Sequence, residues 1–160
     1  MRRRVLLAAA CLGGCGFELR RAPTFPFRSV YLAGFKPGSP LAAELRRGIE
    51  ASPSTRVVES RGEAEVVLEA LADAREQSVA ATTAAGQVRE LQLRTRLAFA
   101  LHTQGGRTLI APTEIVLSRD MTYRESAALA KEQEAALLYR AMQSDIAQQV
   151  MRRLAAAPSA

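Results

Sequence analysis

The chain has 160 residues, with 22 Lys and Arg against 16 Asp and Glu, a single His, two Cys and no Trp. Aromatic residues make up only 5%, and no basic stripe is interleaved with them, so a nucleic-acid interface is excluded. One histidine, His102, leaves little material for metal ligation or acid-base catalysis. At the start, Arg2, Arg3 and Arg4 precede an apolar run from Val5 to Leu12 and then small residues, the layout of a secretory signal peptide. The run is far shorter than the roughly 20 residues that span a bilayer, so it is an address and not an anchor.

The segment Leu12-Gly13-Gly14-Cys15 resembles the lipobox of bacterial lipoproteins, a Leu and two small residues before a Cys. That resemblance implies cleavage after residue 14 and acyl chains, palmitate among them, on Cys15. Cys11 fits less well, because Ala8 stands where the Leu is wanted; the plain alternative is an ordinary signal peptide in which both cysteines are apolar filler. Loss of residues 1–14 removes three arginines and no acidic residue, leaving 19 basic against 16 acidic and a net charge of about +3. No cysteine besides Cys15 then remains for a disulfide or a metal site. The 146 residues left are the size of one domain.

Residues 15–27 read as an acylated start and extended tether, with Pro23 and Pro26 in "RRAPTFPF". "SVYLAGF" (29–35) is short, β-branched and aromatic and predicts a strand. Ser39-Pro40 supplies a cap and a first-turn proline for a helix with its apolar stripe on Leu41, Leu45 and Ile49, ending at Ser52-Pro53. "TRVVES" (55–60) predicts a second short strand. Three long strands follow: 65–79, 90–102 and 108–123, joined by a loop over 80–87 and a tight turn at 103–106. In the middle one, Leu91, Leu93, Leu97, Phe99 and Leu101 alternate with Gln92, Arg94 and Arg96, which predicts one covered and one wet face. Pro112 belongs at an edge or bulge, since it removes a ladder donor. From about residue 126 the period becomes helical, with Leu138, Met142, Ile146, Val150 and Leu154 four apart and Leu137 and Ala141 widening the stripe. Residues 156–160 read as a flexible tail. The expected fold is an α/β two-layer sandwich over 28–155, two helices on one face of a mostly antiparallel four- to five-stranded sheet.

"CGFELR" (15–20), the helix "SPLAAELRRGIE", the hairpin around Gly86-Gln87 and "ALAKEQEAALLYRAMQSDIAQQVMRRL" together resemble the LptE family of lipopolysaccharide-assembly lipoproteins. The resemblance implies a non-enzymatic protein without cofactor or metal, anchored in the outer membrane on its periplasmic side. It implies a plug inside the LptD β-barrel and direct binding of lipopolysaccharide through basic residues. Lys131 matches the family's "ALAK" lysine, whereas the family's basic residue before the hairpin glycine falls on Ala84. Arg75, Arg89 and Arg124 are the nearby cations that could replace it; the alternative is that they are ordinary solvated charges. Arg94 and Arg96 would meet the barrel wall or water. No nucleophile elbow, metal spacing or phosphate-binding glycine loop is present in the sequence. The competing reading is a scaffold lipoprotein of another envelope complex, facing the periplasm and binding no lipid.

Overall fold

The computed structural model describes residues 23–160; Cys15, the signal peptide and most of the tether lie outside the described residues. Strand β1 (Ser29–Ala33) leads to helix α1 (Pro40–Glu50), then β2 (Arg56–Val58), the long strands β3 (Val66–Thr82), β4 (Val88–Thr103) and β5 (Thr108–Thr122), and the 28-residue helix α2 (Ala128–Ala155). The sheet order is β2-β1-β3-β4-β5. β1 pairs parallel with β2 and β3, while β3, β4 and β5 form an antiparallel meander. Two helices on one face of a mostly antiparallel sheet is the expected sandwich, and five strands settle the count.

Local chemistry sets the elements. Ser39 Oγ accepts from the Ala42 amide at 3.3 Å and Pro40 opens α1, whose Leu41, Leu45 and Ile49 are buried. Gly34 has φ +76°, and a Cβ there would sit 2.2 Å from the Ala70 carbonyl oxygen, so the exit from β1 admits glycine alone. On β4 the anticipated alternation holds, with Leu91, Leu93, Leu97, Phe99 and Leu101 all buried. Pro112 lies in edge strand β5, opposite the register shift between Phe99 and Leu101.

Two expectations need correction. Residues 80–82 belong to β3, with Ala81 and Thr82 paired to β4, so the loop is only residues 83–87. Small alanines there are no obstacle to a ladder, whose bonds come from the backbone. Both hairpin turns share one construction. The Thr83 amide donates to Gln87 O at 2.8 Å and the Thr103 amide to Arg107 O at 2.8 Å, with Gly86 and Gly106 at positive φ. The second correction is on α2. Its stripe through Leu138, Met142, Ile146, Val150 and Leu154 faces inward, but Leu137 is 59% exposed and Ala141 is exposed. A residue one position from the stripe is rotated about 100° around the axis, enough to leave the narrow inner face.

The core is in two parts. One, at the α1 end of the sheet, gathers Phe27, Leu45, Leu68, Phe99, Ile146 and Leu154 among others; the other, toward the β3–β4 turn, is Leu91, Leu93, Met121 and Met142. A polar belt crosses between them. Arg75 donates to Gln143 at 2.6 Å, Gln143 to Glu44 at 2.8 Å, and Ser144 to Glu44 at 2.7 Å. The opposite sheet face is polar, as anticipated, with Gln92 bonded to Asp120 and Arg96 paired with Glu114 at 3.3 Å.

Candidate functional site

The β3–β4 turn, the end of β5 and the start of α2 meet at one end of the sandwich. The Tyr123 amide donates to Arg89 O at 2.8 Å, which holds the strand just past the turn against the segment entering α2. Around this junction Arg89, Thr122, Tyr123, Arg124, Ala127 and Lys131 line a cleft of about 330 Å³. A second space of about 630 Å³ continues along Gly86, Gln87, Val88 and Glu125, and shares Arg89, Tyr123 and Arg124 with the first. Three of the four proposed cations therefore converge.

Lys131 is more enclosed than its sequence context suggests. Its side chain is 18% exposed, and Nζ donates to Glu134 Oε2 at 2.8 Å and to Thr122 Oγ1 at 3.1 Å. Arg89 and Arg124 are exposed at the mouth of the cleft. Helix α2 begins at Ala128 with no side-chain cap, directly after a 3-10 turn (Glu125–Ala127) whose Glu125 carbonyl accepts the Ala128 amide, and the positive end of its dipole lies beside Ala127 in the cleft wall. Such a set of donors suits a multiply charged oxyanion, which guanidinium groups engage through paired charge-assisted hydrogen bonds. Glu125 opposes it at the rim.

Arg75 is elsewhere. Its guanidinium bonds Gln143 and stacks 5.5 Å from the Tyr139 ring centre, within the polar belt under α2. Ala84, where the family's basic residue would stand, is exposed in the turn, and Arg89 is the cation that β4 brings into the cleft beside it. Thr122 and Tyr123 are cleft residues that the sequence reading missed. The lysine's partner, Glu134, was legible as an i, i+3 pair within "KEQE". Arg94 is exposed on the outer sheet face, remote from the cleft. Among the described residues no cluster of His, Cys, Asp and Glu could hold a metal, and no helix is long and apolar enough to cross a membrane.

Comparison with known proteins gives a consistent result. The model of the family LptE, described as lipopolysaccharide-assembly, matches residues 27–154. A lipoprotein B from Nitrosomonas europaea is similar at 31% identity and a TM-score of 0.74, covering 88% of this chain and 91% of that one. The rare lipoprotein B from Shewanella oneidensis shares the fold at 23% identity and a TM-score of 0.67, over 81% and 95% of the two chains. A minor lipoprotein from Acinetobacter baumannii does so at 19% identity and 0.66, over 84% and 96%. No curated protein matches the chain.

Proposed function

The chain belongs to the LptE lipopolysaccharide-assembly family, and from that membership we propose that it is an outer-membrane lipoprotein that plugs an LptD-type β-barrel and binds lipopolysaccharide. The observation that carries the lipid-binding part is the convergence of Arg89, Arg124 and Lys131 on one cleft beside the start of α2. Lipid A phosphates supply the matching anions, and the long wall formed by β4 and β5 leaves room for the rest of the molecule outside the cleft. The plug is supported by the bare edge of β5, fifteen residues long and paired only with β4. Such an edge is a liability in free solution that enclosure removes. Cys15 carries the acyl chains in this reading. Gly16 follows it where an Asp would signal inner-membrane retention, which favours the periplasmic side of the outer membrane. No reaction is assigned to the protein: in this reading the cleft binds and hands over.

Co-purification from detergent-solubilised outer membranes tests both halves. A β-barrel protein and lipopolysaccharide together are expected. A protein partner without the lipid would replace this reading by a scaffold lipoprotein, and recovery of neither would overturn it. Mass spectrometry of the mature N-terminus checks the anchor, for which an unmodified chain starting elsewhere is the refuting result.

A further inference from the structure

The end of the sandwich opposite the cleft is built from arginine. Here the chain enters the fold, with Phe25 and Phe27 stacked 5.5 Å apart and buried. Arg28 and Arg56 adjoin, the Arg56 amide donating to Arg28 O at 3.0 Å. Arg61 meets His102 Nε2 at 3.0 Å, Arg107 donates to Ser159 O at 2.9 Å, and Arg152 closes the last turn of α2. These five are exposed, and among the described residues none makes a salt bridge to a carboxylate. Half-buried Arg153 adds a sixth charge. Against them stand Glu63 and Glu65, while nearby Glu59 is taken by Arg46 at 2.6 Å. The far end has no such excess, since Arg89, Arg124 and Lys131 face Glu90, Glu125, Glu132 and Glu134.

From this asymmetry we infer that the arginine end is a docking face for an anionic phospholipid surface, the membrane that holds the acyl anchor. The inference rests on the anchor assigned to Cys15 above. Phe25 lies ten residues after Cys15, a reach of at most about 35 Å when extended, so this end is the part of the fold kept nearest the bilayer. The tether itself carries Arg20 and Arg21. Acyl chains already retain the protein, so the arginines set its attitude: they hold the base against the headgroups and the long strands away from them. A basic surface beside a lipid anchor acts as the second signal of membrane attachment.

The test uses the full mature chain with Cys15→Ser, so that acylation does not mask the surface, and vesicles of phosphatidylcholine with or without phosphatidylglycerol. Binding to the anionic vesicles alone, weakening as salt is raised, is expected. Each arginine removed from the surface should lower the partition coefficient about fivefold. The double change Arg61→Gln with Arg107→Gln should therefore cost about 25-fold, whereas Arg94→Gln with Arg140→Gln, equal in charge but away from this end, should cost little. Equal losses from the two pairs would mean that net charge alone is read and would overturn the inference. So would indifference to phosphatidylglycerol, or a loss confined to barrel capture with vesicle binding intact, which would make this face a protein contact. Vesicle binding is measured without barrel or lipopolysaccharide, so its failure and the failure of the plug reading are separate results.

Discussion

The pair Lys131 and Glu134 gives the sharpest test of the cleft. In the free protein Glu134 occupies the ammonium at 2.8 Å, with side-chain exposures of 18% for the lysine and 46% for the glutamate. A phosphate entering the cleft must compete for that charge. Lys131→Gln removes a charge-assisted hydrogen bond of about 1.5–3 kcal/mol to the ligand, or roughly 10- to 150-fold in affinity. Its cost to the fold is smaller: an i, i+3 helix pair contributes about 0.2–0.5 kcal/mol and the bond to Thr122 about 1 kcal/mol. Lys131→Asp is the poorer probe, because it sets two carboxylates three residues apart and loads the fold with their repulsion. Glu134→Gln acts in the opposite direction. It frees the ammonium, and since partly exposed pairs contribute up to about 1 kcal/mol, affinity should rise by up to about fivefold with little change in the melt. Binding of the purified mature chain to lipopolysaccharide, at low and moderate salt, is measured beside thermal unfolding. If Lys131→Gln keeps both affinity and melting temperature, the cleft is not the site. If Glu134→Gln weakens binding, the glutamate orients the lysine and does not compete for it.

Other consequences concern the frame that holds this cleft. Gly34→Ala should destabilise the fold by more than about 2 kcal/mol in chemical denaturation, through a left-handed alanine and a clash with the Ala70 carbonyl; a neutral result would mean that β1 and β3 are not packed this closely. Thr95 is 3% exposed and its Oγ1 has no hydrogen-bond partner, so Thr95→Val should stabilise by about 1 kcal/mol, and a clear loss would show that the hydroxyl is satisfied. Tyr139 donates to Glu76 O at 2.7 Å; burial, opposed by Arg75 and helped by Glu76, raises its pKa above the ordinary 10.0. The folded value is the higher one, so its contribution is fully present below pH 10.0 and lost as pH rises through the folded pKa. Stability should fall on that alkaline limb, and Tyr139→Phe should flatten the slope there; an unchanged slope would remove Tyr139 as its source.

The parts of the fold legible in the sequence are those governed by one period over many residues. β4 alternates along most of its length, broken at Thr95 and Ala100, and α2 keeps its fourfold spacing from Leu138 to Leu154. What escaped depends on a single irregularity or on a partner distant in sequence. Val66, Leu68 and Ala70 of β3 face the helices, and an unbroken strand would send Ala72 and Ala74 after them. The register shift between Ala70 and Ala72 instead extrudes Leu71, half exposed, and turns Asp73 and Arg75 inward. That one bulge is why Arg75 meets Gln143 and Tyr139 under α2 and not the cleft. The parallel placement of β1 between β2 and β3 was equally hidden, because strands of five and three residues carry no sign of their partners. In the cleft, charge type was legible from resemblance and position, but not the enclosure of Lys131 by Thr122, which needs the end of β5 brought beside α2.

The same sheet fixes how far the cleft stands from the arginine end. β3 runs 17 residues from the base to the turn, about 55 Å at roughly 3.3 Å per residue, or somewhat less with twist. A bilayer measures about 30 Å across its hydrocarbon and 40–45 Å with headgroups. β3 and β4 are bonded along nearly this whole length, and packed clusters back the sheet at both ends. The distance is therefore set by a stiff ladder. With the base docked as proposed, a ladder this stiff keeps the cleft away from the leaflet on which the base rests. In the proposed plug arrangement a ligand must then be brought along the sandwich to reach the cleft, and a site at that height inside a barrel opens toward the opposite leaflet. On that reading, a cleft lined by Arg89, Arg124 and Lys131 serves delivery across the membrane better than capture from the near side.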